Sequence, residues 1–67
     1  MISAAQIEDL SNRPGVKKTA VENFLSSLGD MSYQEAVANC EADARSYRWN
    51  YETSGAIREG LVLHYFS

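Results

Sequence analysis

Four stretches of the 67-residue chain space their apolar side chains three and four positions apart, the interval that lines them along one face of an α-helix. In the first, Ile7 and Leu10 share a face. Gln6 stands three residues after Ser3, and Ile2 flanks the start, a capping box with a hydrophobic staple. This predicts a helix from Ser3 to about Asn12, ended by Pro14 and Gly15. In the second, Val21, Phe24, Leu25 and Leu28 predict a helix from about Val16 to Leu28, with Gly29 as its stop. The third has the clearest signal. Ser32 and Glu35 form another capping box, Met31 is placed to staple onto Ala36, and Tyr33, Ala36, Val37, Cys40, Ala44 and Tyr47 fall on one stripe. Opposite lie Gln34, Asn39, Glu41, Asp43 and Arg45, with Glu41 and Arg45 in the i, i+4 order that favours an ion pair.

The fourth stretch opens with Asn50 as cap and runs through Ile57, Gly60, Leu61 and His64 toward Phe66. Thr53-Ser54-Gly55 weakens its first turns, and "LVLHYF" at 61 to 66 also fits a short strand, so helix and strand both stay open there. No other segment alternates as a strand would. The connections are short, which makes consecutive helices neighbours in space. The expectation is an all-α single domain spanning 1–67, a small bundle of three to four short helices.

Size narrows the means of holding such a bundle together. A domain of this length buries only roughly 60% of the surface its unfolded chain exposes. The lone Cys40 closes no internal disulfide, and with His64 as the one histidine there are too few soft ligands for structural zinc. No metal and no cofactor are therefore expected, and helix packing or self-association must carry stability. "MISAAQIEDL" lacks the basic region and apolar run of a secretory leader, and the longest apolar stretch falls far short of the roughly 20 residues of a membrane span. A cytoplasmic chain with no membrane partner is expected, in keeping with an unpaired cysteine.

Chemistry has few candidates. Cys40 and His64 are the residue types of a thiolate–imidazole pair, but Cys40 lies mid-stripe between Val37 and Ala44, where a cysteine serves as a small buried hydrophobe. The carboxylates fall on polar faces or near helix starts rather than converging in an apolar cleft. No catalytic residue is assigned, and no enzyme is expected. "SYRWNYE" at 46 to 52 is different: Tyr47, Arg48, Trp49 and Tyr51 are the residue types that dominate protein-binding hot spots, large contact areas with a polar handle. Trp49 suits either a plug between the third and fourth helices or a contact residue. Tyr51, beside a cap and beyond the third stripe, is the better interface candidate.

From Gln6 to Leu25, "QIEDLSNRPGVKKTAVENFL" resembles the helix-turn-helix family of DNA-binding motifs. Leu10, Gly15, Val16, Val21 and Phe24 or Leu25 match its packing residue, turn glycine, following apolar residue and buried recognition face. The resemblance gives the bundle a helix-turn-helix-like N-terminal half and makes the second helix the recognition helix. It implies that Lys17, Lys18, Thr19, Glu22 and Asn23 face a DNA groove, that Arg13 and the lysines reach phosphates and that Asn23 reaches a base edge. Against this stands the charge: nine acidic and six basic residues give a net −3, a balance unsuited to polyanions. The reading that follows is a small non-catalytic interaction or regulatory module acting through protein contacts, with another protein or with itself as a homodimer. A small helix-turn-helix transcriptional regulator that binds DNA is the alternative.

Overall fold

The computed structural model describes all 67 residues and contains four α-helices and no strand: α1 Ala4–Ser11, α2 Lys18–Ser26, α3 Tyr33–Arg45 and α4 Tyr51–Phe66. Both capping boxes form. Ser3 Oγ accepts from the Gln6 N–H at 3.1 Å while Gln6 Oε1 accepts from the Ser3 N–H at 2.9 Å. Ser32 and Glu35 repeat the exchange, both bonds at 3.1 Å. Asn50 starts α4, its Oδ1 accepting from the Thr53 N–H at 3.0 Å.

Helix, not strand, is the outcome for 61 to 66. Thr53, Ala56, Ile57, Gly60 and Leu61 are all buried, a helical period that carries α4 straight through the Gly55 position. The far end is pinned where Tyr65 Oη donates to the Met31 carbonyl at 2.6 Å. α2, in contrast, is shorter than its apolar period predicts. Val16 and Lys17 stay outside the helix, and Lys17, the cap residue, makes no side-chain capping bond. Its backbone N–H is held instead by Thr53 Oγ1 at 2.8 Å. At the other end Leu28 still enters the core although the helix has stopped at Ser26.

α4 is the central element. It packs against α1, α2 and α3, α1 packs on α2, and α3 meets α4 alone. Ile57 and Leu61 of α4 are fully inaccessible, as are Val21, Ala36 and Cys40 from the helices around it. Gly60 lets α4 come this close: a Cβ there would stand 2.5 Å from Leu25 Cδ1 and 3.1 Å from Leu10 Cδ1. Gly55, one and a half turns earlier, faces open space.

The two glycines should therefore respond with opposite sign. Gly60→Ala forces two buried leucines aside, an overpacking cost of about 1–3 kcal/mol that the roughly 1 kcal/mol gain in helix propensity only partly offsets. Gly55→Ala meets nothing and should stabilise by about 0.5–1 kcal/mol. Urea denaturation of both variants checks this, and a shift of the same sign in both would remove Gly60 from the helix crossing.

Acid should loosen the fold through two carboxylates. Glu59 receives a two-pronged hydrogen bond from Arg13, at 2.6 and 2.9 Å, which holds its carboxyl below the ordinary value of 4.5. The Ser32 backbone N–H and hydroxyl lower Glu35 in the same direction. A carboxyl depressed in the folded state contributes stability above its unfolded value and loses it as pH falls through the folded one. Stability should thus decline below about pH 4.5, and less steeply in Glu59→Gln. Unfolding curves for Glu59→Gln and wild type that keep a constant separation from pH 7 to pH 2 would contradict the assignment.

Candidate functional site

The connection from α3 to α4 is built around a backbone conformation unusual for its residue. Past Arg45, the Tyr47 N–H donates to the Ala44 carbonyl at 3.1 Å and the Arg48 N–H to the Asp43 carbonyl at 3.0 Å. These two crossed bonds make a Schellman helix end, which requires a left-handed residue between them. Glycine ordinarily fills that place. Here it is Tyr47, with φ +61°, at a cost of roughly 1–2 kcal/mol for a residue with a Cβ. The ring gains no burial in return, for Tyr47 is 93% exposed. Its expected place on the buried α3 stripe is thus corrected: the helix stops two residues short, and the left-handed turn leaves the ring in solvent. Tyr51, in the first turn of α4, is 88% exposed.

Trp49, between them, is half-buried. Its ring meets Phe24 of α2 edge-on, centroids 5.8 Å apart, and its Nε1 is buried without a hydrogen-bond partner. The side chain packs on α2 and lines two clefts. The first, about 510 Å³, lies between the start of α2 and the connection; Lys17, Thr19, Asn23 and Phe24 face Arg48 and Trp49. The second, about 470 Å³, lies between α3 and α4. Cys40, Ala44 and Arg45 line it from α3, Tyr51, Ser54 and Arg58 from α4, with Tyr47 and Trp49 from the connection.

Two groups of residues distant in sequence are therefore brought onto one surface: Lys17, Thr19 and Asn23 from the helix-turn-helix-like segment, and Tyr47, Arg48, Trp49 and Tyr51 from the aromatic one. Lys18 is exposed in the same first turn of α2 but lines neither cleft. Arg13 is drawn away to Glu59. The expected Glu41–Arg45 pair does not form. Glu41 lies 3.9 Å from Arg58 of α4, and Arg48 lies 3.5 Å from Asp43.

The clefts also take in residues outside the expected contact set, Phe24, Ser54 and Arg58 among them. Tyr51, Ser54 and Arg58 stand at offsets 0, 3 and 7, so their common face was available from spacing alone. Ser54 Oγ, like Trp49 Nε1, is buried and unpartnered. Cys40 is fully buried with Sγ 4.0 Å from the Ser54 carbonyl, and burial pushes its thiol up, away from the reactive thiolate. His64 is engaged elsewhere, its Nδ1 accepting from the Ile2 N–H at 3.2 Å. No three of the His, Cys, Asp and Glu side chains gather as metal ligands would, and no helix is long and apolar enough to cross a membrane. Compared with family models, with curated proteins and with solved structures, the chain matches none.

Tyr47→Gly should stabilise the isolated chain by about 0.5–1 kcal/mol, because glycine takes the left-handed position without the Cβ clash. Denaturant midpoints of wild type and variant measure it. A loss of stability would mean that the tyrosine ring contributes contacts to folding, and would take the strain argument with it.

Proposed function

We propose that this chain is a non-catalytic interaction module that holds a partner protein on the face made by the α3–α4 connection and the two clefts beside it. One observation carries the reading. An exposed tyrosine occupies a left-handed backbone position that favours glycine, beside a second exposed tyrosine and a tryptophan with an unpaired N–H. Strain that the fold does not use is characteristic of functional positions. Tyr, Trp and Arg are also the side chains on which protein interfaces concentrate their energy. A second copy of the chain is one partner such a face accepts.

Recognition of duplex DNA by α2 is the second reading, favoured by the exposure of Lys17, Lys18, Thr19 and Asn23 on its first turns. Arg13, which that reading sets on phosphates, is held by Glu59 instead. The protein-contact reading draws on more of what is exposed.

Selection of binders from a random peptide display library tests it. The selected peptides should change Trp49 fluorescence, and Tyr51→Ala should weaken them by about 1–2 kcal/mol, as for an aromatic anchor. Binders indifferent to both Tyr47→Ala and Tyr51→Ala would sink the assignment of this face. Salt-dependent, sequence-selective duplex binding that disappears in the Lys17→Ala/Lys18→Ala double variant would put DNA in its place.

A further inference from the structure

We infer that the segment this face takes is a short, extended acidic peptide, its carboxylates seated in the two clefts that share Trp49; the inference rests on the interaction reading above and names the partner's chemistry.

Charge placement is the first support. The chain is acidic overall, yet four of its six basic residues line the clefts, Lys17 and Arg48 in one and Arg45 and Arg58 in the other. Of its nine carboxylates only Glu41 does so. Lys17 and Arg45 have no carboxylate within 4.0 Å, while Arg48 and Arg58 touch Asp43 and Glu41 only through single contacts at 3.5 and 3.9 Å. Most of the guanidinium donors are thus free, and their planar fork matches a carboxylate with two parallel bonds.

Hydrogen bonding is the second. Trp49 Nε1 and Ser54 Oγ, both on residues lining the α3–α4 cleft, are buried donors with nothing to donate to. Buried polar atoms are seldom left unpaired, and a carbonyl or carboxylate oxygen that reached either atom as the cleft fills would complete it. The exposed rings of Tyr47 and Tyr51 on the same cleft offer apolar cover to the stretches between charges.

Scale and field decide between peptide and nucleic acid. The molecule measures 26 × 23 × 15 Å, so a strand rising about 3.3 Å per residue crosses the face in roughly five to eight residues. A single-stranded nucleic acid would use the same rings and cations. It brings a charge at every nucleotide, however, and Glu22, Asp43 and Glu52 outside the clefts, with the net −3, oppose a continuous polyanion. A peptide of this length sets up to four side-chain carboxylates against four cations and is neutral between them.

Titration followed by Trp49 fluorescence tests this with three probes: an eight-residue peptide alternating Glu and Leu, the same peptide with Gln for Glu, and an eight-nucleotide oligothymidylate. The Glu peptide should bind at least about tenfold more tightly than the Gln peptide, weaken with salt, and exceed the oligothymidylate. Lys17→Glu/Arg45→Glu removes one unpaired cation from each cleft and leaves every ion pair of the fold in place. Folded by far-UV dichroism, it should lose the Glu peptide and prefer a Lys–Leu counterpart. Arg58→Gln, a milder change, should weaken the Glu peptide in the same direction. No binding of the Glu peptide, or equal binding of the Glu and Gln peptides, overturns the acidic partner; library binders that still depend on Tyr47 and Tyr51 would then leave the interaction face itself standing. Tighter oligothymidylate binding overturns the peptide in favour of single strands.

Discussion

Asn50 and Thr53 join three segments through four hydrogen bonds. Asn50 Oδ1 accepts the Thr53 N–H, which starts α4, and also the Thr53 hydroxyl. Its Nδ2 donates to the Gly15 carbonyl at 2.6 Å, while Thr53 Oγ1 accepts the Lys17 N–H at 2.8 Å. Thr53 is fully buried, and a buried hydroxyl left unpaired would cost about 1–3 kcal/mol. Here it is satisfied twice. The same two side chains that open α4 thus satisfy the turn before α2, and so fix how the first turn of α2 meets the α3–α4 connection. Lys17 and Thr19 share a cleft with Trp49 because of this tie.

What the sequence disclosed follows the range of the interactions involved. Ser3 with Gln6 and Ser32 with Glu35 are three residues apart, and their caps could be read directly because nothing distant decides them. The same holds for Asn50 and for the apolar periods of α1, α3 and α4. The start of α2 was misplaced because Lys17 is held by Thr53, 36 residues on. Glu41 and Arg45 have the spacing of an ion pair, but α4 brings Arg58 alongside and Glu41 turns to it. Tyr47 fits the α3 stripe by number alone; the helix had already ended in a turn whose signature residue, glycine, is absent. The residue types of the candidate site stand together in "SYRWNYE". Their union with Lys17, Thr19 and Asn23 was not, since it depends on the contact between Trp49 and Phe24 across the fold.

The two ends of α4 solve different problems. Toward its C-terminal half, Gly60 admits Leu10 and Leu25 so closely that the helices meet without a gap. Toward its N-terminus, small side chains produce the reverse: Cys40 and Ala44 on α3 and Ser54 on α4 leave an open cleft, with the large rings of Tyr47, Trp49 and Tyr51 set around it. Small residues bring helices together where large ones fill the space between, and hold space open where none do. Ala44, half-buried, lines the cleft without filling it.

The cleft bears on α3 more than on any other helix. α3 packs against α4 alone, while α1, α2 and α4 all pack on one another. That interface reaches the opposite end of α3, where the Tyr33 ring meets Tyr65 and Phe66 of α4; apart from it, α3 is held by its connections. At the cleft end, Arg45 of α3 and Arg58 of α4 face the same space, and only the 3.9 Å contact of Arg58 with Glu41 bridges it by charge. An anion seated between the two arginines therefore adds a link across the one helical interface that secures α3. A ligand that binds only the folded arrangement stabilises it by mass action, in proportion to the logarithm of its concentration over its Kd. Under the proposed reading, occupation of the cleft and the anchoring of α3 would be a single equilibrium, and a bound partner would offset the stability forgone at the left-handed Tyr47.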